Sequence, residues 1–246
     1  MKGKPPSIAS KGPTHGVARV ISKLGLGSRT EAAAWVSEGR VRVNGNVVRN
    51  AEHAVRQGVD RIEIDGREAA AAKRIALMLN KPRGLVTTAK DERGRATVYS
   101  CFAGAALPWL APIGRLDKAS EGLLLFSNDS LWAARITDPK TGPPKTYHVQ
   151  VNRLPDSGLL ANLEQGIEVD GERLGVRSVR KLRTGEKNAW LEIVLEEGRN
   201  RQIRRLVEAF DVSVLRLVRV AIGRLALGEL AKGQWRMLTE EEMAAL

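Results

Sequence analysis

The chain has a single cysteine, Cys101, so no disulfide can form within it, which suits a reducing compartment. Its three histidines, His15, His53 and His148, are scattered, and none stands at zinc-ligand spacing from Cys101, so no metal site is expected. Long hydrophobic runs are missing as well. Stretches such as Leu123 to Phe126 fall far short of the roughly 18 residues that a membrane-spanning helix needs, and no membrane partner is expected. Residues 1–14 are rich in Lys, Pro, Ser and Gly without an apolar segment, so they read as a disordered basic tail rather than a secretory signal. A cytoplasmic location is expected. The sequence contains no phosphate-binding loop of Walker type, no dinucleotide glycine fingerprint and no nucleophile elbow, and the expected chemistry uses no cofactor.

Acidic side chains are also in deficit. Forty Lys and Arg stand against 28 Asp and Glu, a net charge of +12 with an isoelectric point near 10.2, which points to a polyanionic partner. Residues 1–68 hold 12 basic and 7 acidic side chains, and residues 198–224 hold seven Arg against two acids. Arginine-rich clusters suit planar contacts to phosphate and base, so nucleic acid is favoured over a membrane surface. With 43% apolar residues in 246, the chain can build a substantial core in one large domain or two smaller ones.

The pattern along the chain favours two domains. Val17, Val20, Ile21 and Leu24 recur at helical spacing until Gly25 and Gly27 break them. Ser28 with Glu31 forms a capping box that opens a second helix through Glu38, with Gly39 as its stop. Val41 and Val43 alternate into the turn pair Asn44-Gly45, and Ile62 and Ile64 do the same before Asp65-Gly66. A small domain over 15–68 is thus expected, then an alanine-rich linker or short bridging helix over 69–74, then a larger domain over 75–246. In the larger part, Leu77 to Asn80 reads as a strand halted by Pro82 and Gly84, and Leu123 to Phe126 as a short buried strand. Asn128 or Asp129 caps a helix through Ile136, and Ala189, Leu191, Ile193 and Leu195 alternate as a strand with one face in the core. Without a regular βαβ rhythm, the fold class expected is α+β.

One stretch concentrates chemistry: Gly114-Arg115-Leu116-Asp117-Lys118-Ala119-Ser120-Glu121-Gly122, running directly into the apolar Leu123 to Phe126. A carboxylate in a glycine-bounded loop, flanked by Arg115 and Lys118, is held at a domain surface where cations favour its ionised form. An ordinary salt-bridged surface aspartate has the same local features. The stretch from Gly114 to Asp129 resembles the signature of the pseudouridine synthases of the small-subunit ribosomal RNA type. Three further segments are similar to that family and fall in its order: Asn80 to Gly84, Lys145 to Val149, and Glu197 to Arg205. Leu217 to Leu238 resembles its closing segment, and residues 15–68 resemble the S4 RNA-binding domain that commonly precedes it. The Ser120-Glu121-Gly122 variant is similar to members acting on large-subunit RNA.

The resemblance implies an S4 module followed by a catalytic domain with a mixed, largely antiparallel sheet and a central cleft. It implies isomerisation of a uridine in ribosomal RNA, free or in an assembly particle, with no obligatory protein partner. The target base must leave its stack, at a cost of roughly a few kcal/mol that pocket contacts offset. Asp117 would be the nucleophile, although a first step of proton abstraction is equally open to a carboxylate there. Tyr147 would stack on the flipped base, Arg115 would fill the space it vacates, Lys81 would shape the pocket floor, and Leu217 would pack beside the base. Ile203, Leu206, Val207 and Phe210 form one helical face; Arg201 and Arg205 fall opposite it, towards solvent or phosphate, and Arg204 falls at its margin. Arg204 is therefore expected to pair with Asp117, with Arg199 as the competing partner. Arg29, Arg40 and Arg42 of the small module are expected to meet RNA backbone. Two other readings are a non-catalytic RNA-binding assembly protein that keeps the fold, and a DNA-binding regulator that uses the two-helix start.

Overall fold

A computed structural model describes residues 13–246, so residues 1–12 of the expected tail lie outside the described residues. The chain forms two compact units that divide between Lys73 and Arg74. In the first, strand β1 (His15–Gly16) leads into helices α1 (Val17–Lys23) and α2 (Arg29–Ser37), followed by β2 (Val41–Val43), β3 (Asn46–Val47), β4 (Ala54–Val55), β5 (Ile62–Ile64) and β6 (Arg67–Glu68). The capping box is complete: Ser28 Oγ accepts from Glu31 N at 3.0 Å, and Glu31 accepts from Ser28 N at 2.8 Å. Both turn pairs sit at positive φ, Asn44 at 50° with Gly45 at 83°, and Asp65 at 50° with Gly66 at 76°. That is the conformation a two-residue hairpin with matching twist requires. The strands run β3-β2-β5-β6, with β1 paired to β4, and Val17, Val20, Ile21, Ala32, Val36 and Val41 make the core. Residues 69–75 carry neither helix nor strand, so the alanine-rich segment is an irregular connection, not a bridging helix.

The second unit contains β7 (Ala76–Lys81), a 3₁₀ turn at Val98–Phe102, β8 (Ala111–Ile113), β9 (Glu121–Ser127), α3 (Ser130–Thr137), β10 (Lys145–Val151) and α4 (Ser157–Gln165). After these come β11 (Ile167–Val169), β12 (Glu172–Leu174), β13 (Ser178–Thr184), β14 (Ala189–Leu195), α5 (Gln202–Glu208), β15 (Val214–Ile222), β16 (Leu225–Ala226), β17 (Trp235–Met237) and α6 (Glu240–Ala244). Its main sheet follows the order β13-β14-β10-β15-β9-β7-β17, with β16 beside β15 and β8 beside β9. Every pairing in it is antiparallel except β15 with β9, as the expected α+β class and mixed, largely antiparallel sheet require. Strands β7 and β9 are buried on both faces, which is why they read as continuous apolar runs. Leu79, Leu124 and Phe126 join the core cluster that also takes in α4 and α5, with Phe126 edge-on to Tyr99 and Phe102, while Met78, Leu123 and Leu125 join the one that takes in α3 and α6. Strands β10 and β14 bury only alternate residues, so their sequence alternates.

Of the two candidate caps for α3, Asp129 accepts from the backbone of Leu131 and Trp132, whereas Asn128 accepts from Ile75 N at the start of the unit. The parallel joint has one absolute demand. Gly122 has φ +100° and lies so close to Arg219 that a Cβ there would collide with the Arg219 backbone carbonyl. Among the described residues no helix is long and apolar enough to cross a membrane.

Candidate active site

Asp117 stands on the loop between β8 and β9, and the backbone of that loop is tied down at five successive carbonyls. Leu116 O accepts from Thr87 Oγ1 at 2.8 Å, Lys118 O from Gly84 N at 2.8 Å, and Ala119 O from Arg204 Nη2 at 3.3 Å. Lys81 Nζ donates to Asp117 O at 3.1 Å and to Ser120 O at 2.8 Å, and Ser120 N closes a turn onto Asp117 O at 2.9 Å. The Lys81 side chain is wholly buried, and that burial pushes its pKa down to about 8 against the pull of Asp117 and Glu121. A loop fixed at five successive carbonyls holds the backbone that carries the carboxylate in place before any ligand arrives.

A cleft of about 560 Å³ opens beside the loop. Asp117 and Arg115 line it from the loop, Tyr147 and Lys145 from β10, Leu217 and Arg219 from β15, and residues 197–204 from the approach and first turn of α5. A second hollow of about 440 Å³, walled by Val86 to Arg95, shares Arg115, Leu116, Asp117 and Asn200 with the first. The carboxylate therefore sits on the lip common to both. The main cleft carries six basic side chains against two acids, Asp117 and Glu197, and Glu197 is paired with Arg199 at 2.9 Å. Tyr147 is 8% exposed, its ring supported by the core and one side open to the cleft. Among the described residues no group of three or more His, Cys, Asp or Glu is gathered to hold a metal ion.

The expected site residues separate on inspection. Asp117, Arg115, Tyr147, Leu217, Arg199, Arg201 and Arg204 share the cleft, while Lys81 lies beneath the loop rather than in the lining. The Arg204–Asp117 pair is not formed. Arg204 is 9% exposed and donates to two backbone oxygens, Ala119 O and Val214 O, at 3.3 and 3.4 Å, while its Nε is buried without a partner. Burial and the nearby Arg201 lower its pKa, and Asp117 acts in the opposite sense. The cation nearest the carboxylate is Arg201, whose Nη1 lies 3.8 Å from Asp117 Oδ2.

The correction has a local cause. Helix α5 begins at Gln202, and Arg201 is its N-cap with a left-handed backbone (φ 50°, ψ 28°), so helical phase does not extend to it. Arg199, the competing partner, pairs with Glu197 and donates to Arg173 O. Arg205 does not face phosphate either: it grips Glu172 at 2.6 Å and Asp170 at 3.4 Å on the β11–β12 hairpin. In the small unit Arg29 and Arg42 are exposed, with Arg42 donating to Gly45 O, whereas Arg40 pairs with Asp65 at 2.7 Å and lies over the Trp35 ring.

Of the six basic residues that line the cleft, two were not singled out from sequence, Lys145 and Arg219. A signal for Arg219 existed: it stands two residues from Leu217 on one strand, so it shares that residue's inward face.

A model described as RNA pseudouridylate synthase matches residues 75–209, and a model of the S4 domain matches residues 17–60. The chain is 37% identical over 229 residues to an uncharacterized RNA pseudouridine synthase of Aquifex aeolicus, covering 93% of this chain and 92% of that protein. It is 35% identical over 230 residues to the ribosomal large subunit pseudouridine synthase B of Bacillus subtilis, covering 93% of each. A solved structure described as a pseudouridylate synthase superposes with a TM-score of 0.66 at 29% identity, over 94% of this chain and 99% of that one.

Proposed function

Since the chain belongs to the RNA pseudouridylate synthases, isomerases that convert uridine to pseudouridine in RNA, we propose that its target is a uridine of ribosomal RNA and that Asp117 carries the reaction. The observation that carries this reading is the carboxylate itself, on a loop with five anchored carbonyls at the lip of a basic cleft that Tyr147 also lines. The substrate's N1–C1′ bond breaks, the base turns, and a C5–C1′ bond forms. C5 loses its proton and N1 gains one, so the exchange needs no oxidant, reductant or co-reactant.

In this reading the flipped base stacks on Tyr147 beside Leu217, and Asp117 acts on the exposed ribose or its base. Arg115, on the same loop, is placed to occupy the gap left in the RNA stack. Arg201 compensates the Asp117 charge, and Arg204 and Lys81 hold the loop's backbone. The S4 domain adds phosphate contacts through exposed cations such as Arg29 and Arg42, which position RNA without reading sequence. The signature resembles the small-subunit type, but the Ser120-Glu121-Gly122 variant and the likeness to the large-subunit synthase of Bacillus subtilis favour large-subunit RNA. No observation favours a non-catalytic assembly protein, and a DNA-binding regulator would leave the catalytic cleft unused.

Mapping pseudouridines by carbodiimide-blocked primer extension, with and without the gene, tests the proposal. One stop in large-subunit RNA should vanish with the gene and return on complementation with the intact chain. An unchanged ribosomal RNA map would refute a ribosomal target.

A further inference from the structure

The cleft contains a buried cation whose hydrogen bonding the protein leaves incomplete. Arg219 is 5% exposed and lines the cleft, its Nε donates to Leu123 O at 2.7 Å, and its Nη2 is buried with no hydrogen-bond partner. Its place in the sheet is informative. Arg219 is the β15 residue registered directly against Tyr147 of β10, so the two side chains are cross-strand neighbours on one face. Lys145 lies two residues before Tyr147 on that same face and also lines the cleft. A flat group resting on the Tyr147 ring would therefore have two cationic donors and no acid at its edge on this side.

We propose that Arg219 and Lys145 form an oxygen-acceptor subsite that reads a carbonyl of the base held on Tyr147. This rests on the pseudouridine synthase reading and extends it to base selection. Uracil offers carbonyl oxygens at both C2 and C4, whereas cytosine presents an amino donor at C4. Donor-only side chains favour the first at that position and leave the second with donor facing donor. The burial of Arg219 argues for a base rather than a backbone phosphate, because a phosphate brought against it would lose its hydration. Burial and the neighbouring Arg219 lower the Lys145 pKa, in keeping with two cations held together in a confined site.

The test uses transcripts of large-subunit ribosomal RNA made with uridine, 2-thiouridine or 4-thiouridine, since sulfur is a poorer hydrogen-bond acceptor than oxygen. Single-turnover conversion is read by chromatography of nuclease digests. The intact enzyme should be at least tenfold slower on the 4-thiouridine transcript than on the 2-thiouridine one, since only the oxygen at C4 separates uracil from cytosine. Arg219→Lys and Lys145→Met should each narrow that ratio to within threefold. Equal rates of the intact enzyme on both thio transcripts would overturn the proposal without reference to any variant. Unchanged discrimination in both variants would also overturn it. A drop in the log–log salt slope of binding by roughly 0.7 to 0.9 in Arg219→Lys, with discrimination retained, would assign the arginine to a phosphate instead. If the intact enzyme converts no uridine transcript, the parent reading fails and this one with it; conversion without thio discrimination removes only the subsite.

Discussion

Of the two carboxylates that line the cleft, Glu197 is held by Arg199 at 2.9 Å, while Asp117 faces Arg201 at 3.8 Å with its side chain 38% exposed. The looser pair is the one left available to a ligand. Arg204, by contrast, is part of the scaffold, and the two arginines should respond differently to truncation. Arg204→Ala leaves Ala119 O and Val214 O without their donor and removes a buried side chain, so stability should fall by about 2 to 4 kcal/mol. Arg201→Ala removes a half-exposed side chain, and stability should move by no more than about 0.5 kcal/mol, while the single-turnover rate falls. Urea unfolding of the two variants checks the first contrast and a single-turnover assay the second. Equal destabilisation by both would contradict the division of roles. The sequence showed that this run of arginines meets Asp117, because the motif order carried it. It did not show which one, because a left-handed N-cap ends helical phase at Arg201, and an acidic hairpin over thirty residues away captures Arg205.

Strand β9 shows what an element adds beyond its residues. Its first residue, Glu121, is 2% exposed beside the parallel joint with β15, where it accepts from Arg216 at 2.7 and 3.0 Å and pairs with Lys232 at 2.6 Å. The hydrogen bonds from Arg216, aided by Lys232, hold its pKa down to about 2 against an ordinary 4.5. A carboxyl depressed in the folded state contributes stability that is fully present above the unfolded pKa and lost as pH falls towards the folded one. The loss should thus run from about pH 4.5 to pH 2 and amount to about 3 kcal/mol, and Glu121→Gln should flatten that acid limb in thermal unfolding. An unaltered acid limb would show that the cluster does not secure the joint. Elements with local signals were legible: the Ser28–Glu31 box, the Asn44-Gly45 and Asp65-Gly66 turns, and the two apolar runs that became β7 and β9. The Thr239–Glu242 box that opens α6 carries the same kind of signal. Strands β11 and β12 were missed although Ile167 and Val169 alternate into Asp170-Gly171, a turn pair at positive φ of the same kind as the two that were read.

At the scale of the whole molecule, each unit has its own core, so RNA affinity and chemistry should be separable. Removing residues 1–73 should weaken RNA binding and reduce its log–log salt slope by roughly 0.7 to 0.9 for each phosphate that is no longer neutralised. Filter binding across a salt series measures this, and an unchanged slope would mean that the S4 domain grips something other than RNA. The α+β class, the order of the two domains and the polyanionic partner were all legible from composition and motif order. The packing of the cleft was legible only in part: Leu217 and Arg219 share a face of β15, but the register of β15 on β10 is what sets them opposite Val149 and Tyr147. The account depends above all on Asp117, and tritium release from ribosomal RNA transcripts containing [5-³H]uridine tests it directly, because C5 must lose its hydrogen. The intact enzyme should release tritium in a single turnover. Asp117→Asn should bind the same RNA within about tenfold, since many contacts share the affinity, yet release none. Release by Asp117→Asn at a rate near that of the intact enzyme would contradict the assignment of the reaction to this carboxylate.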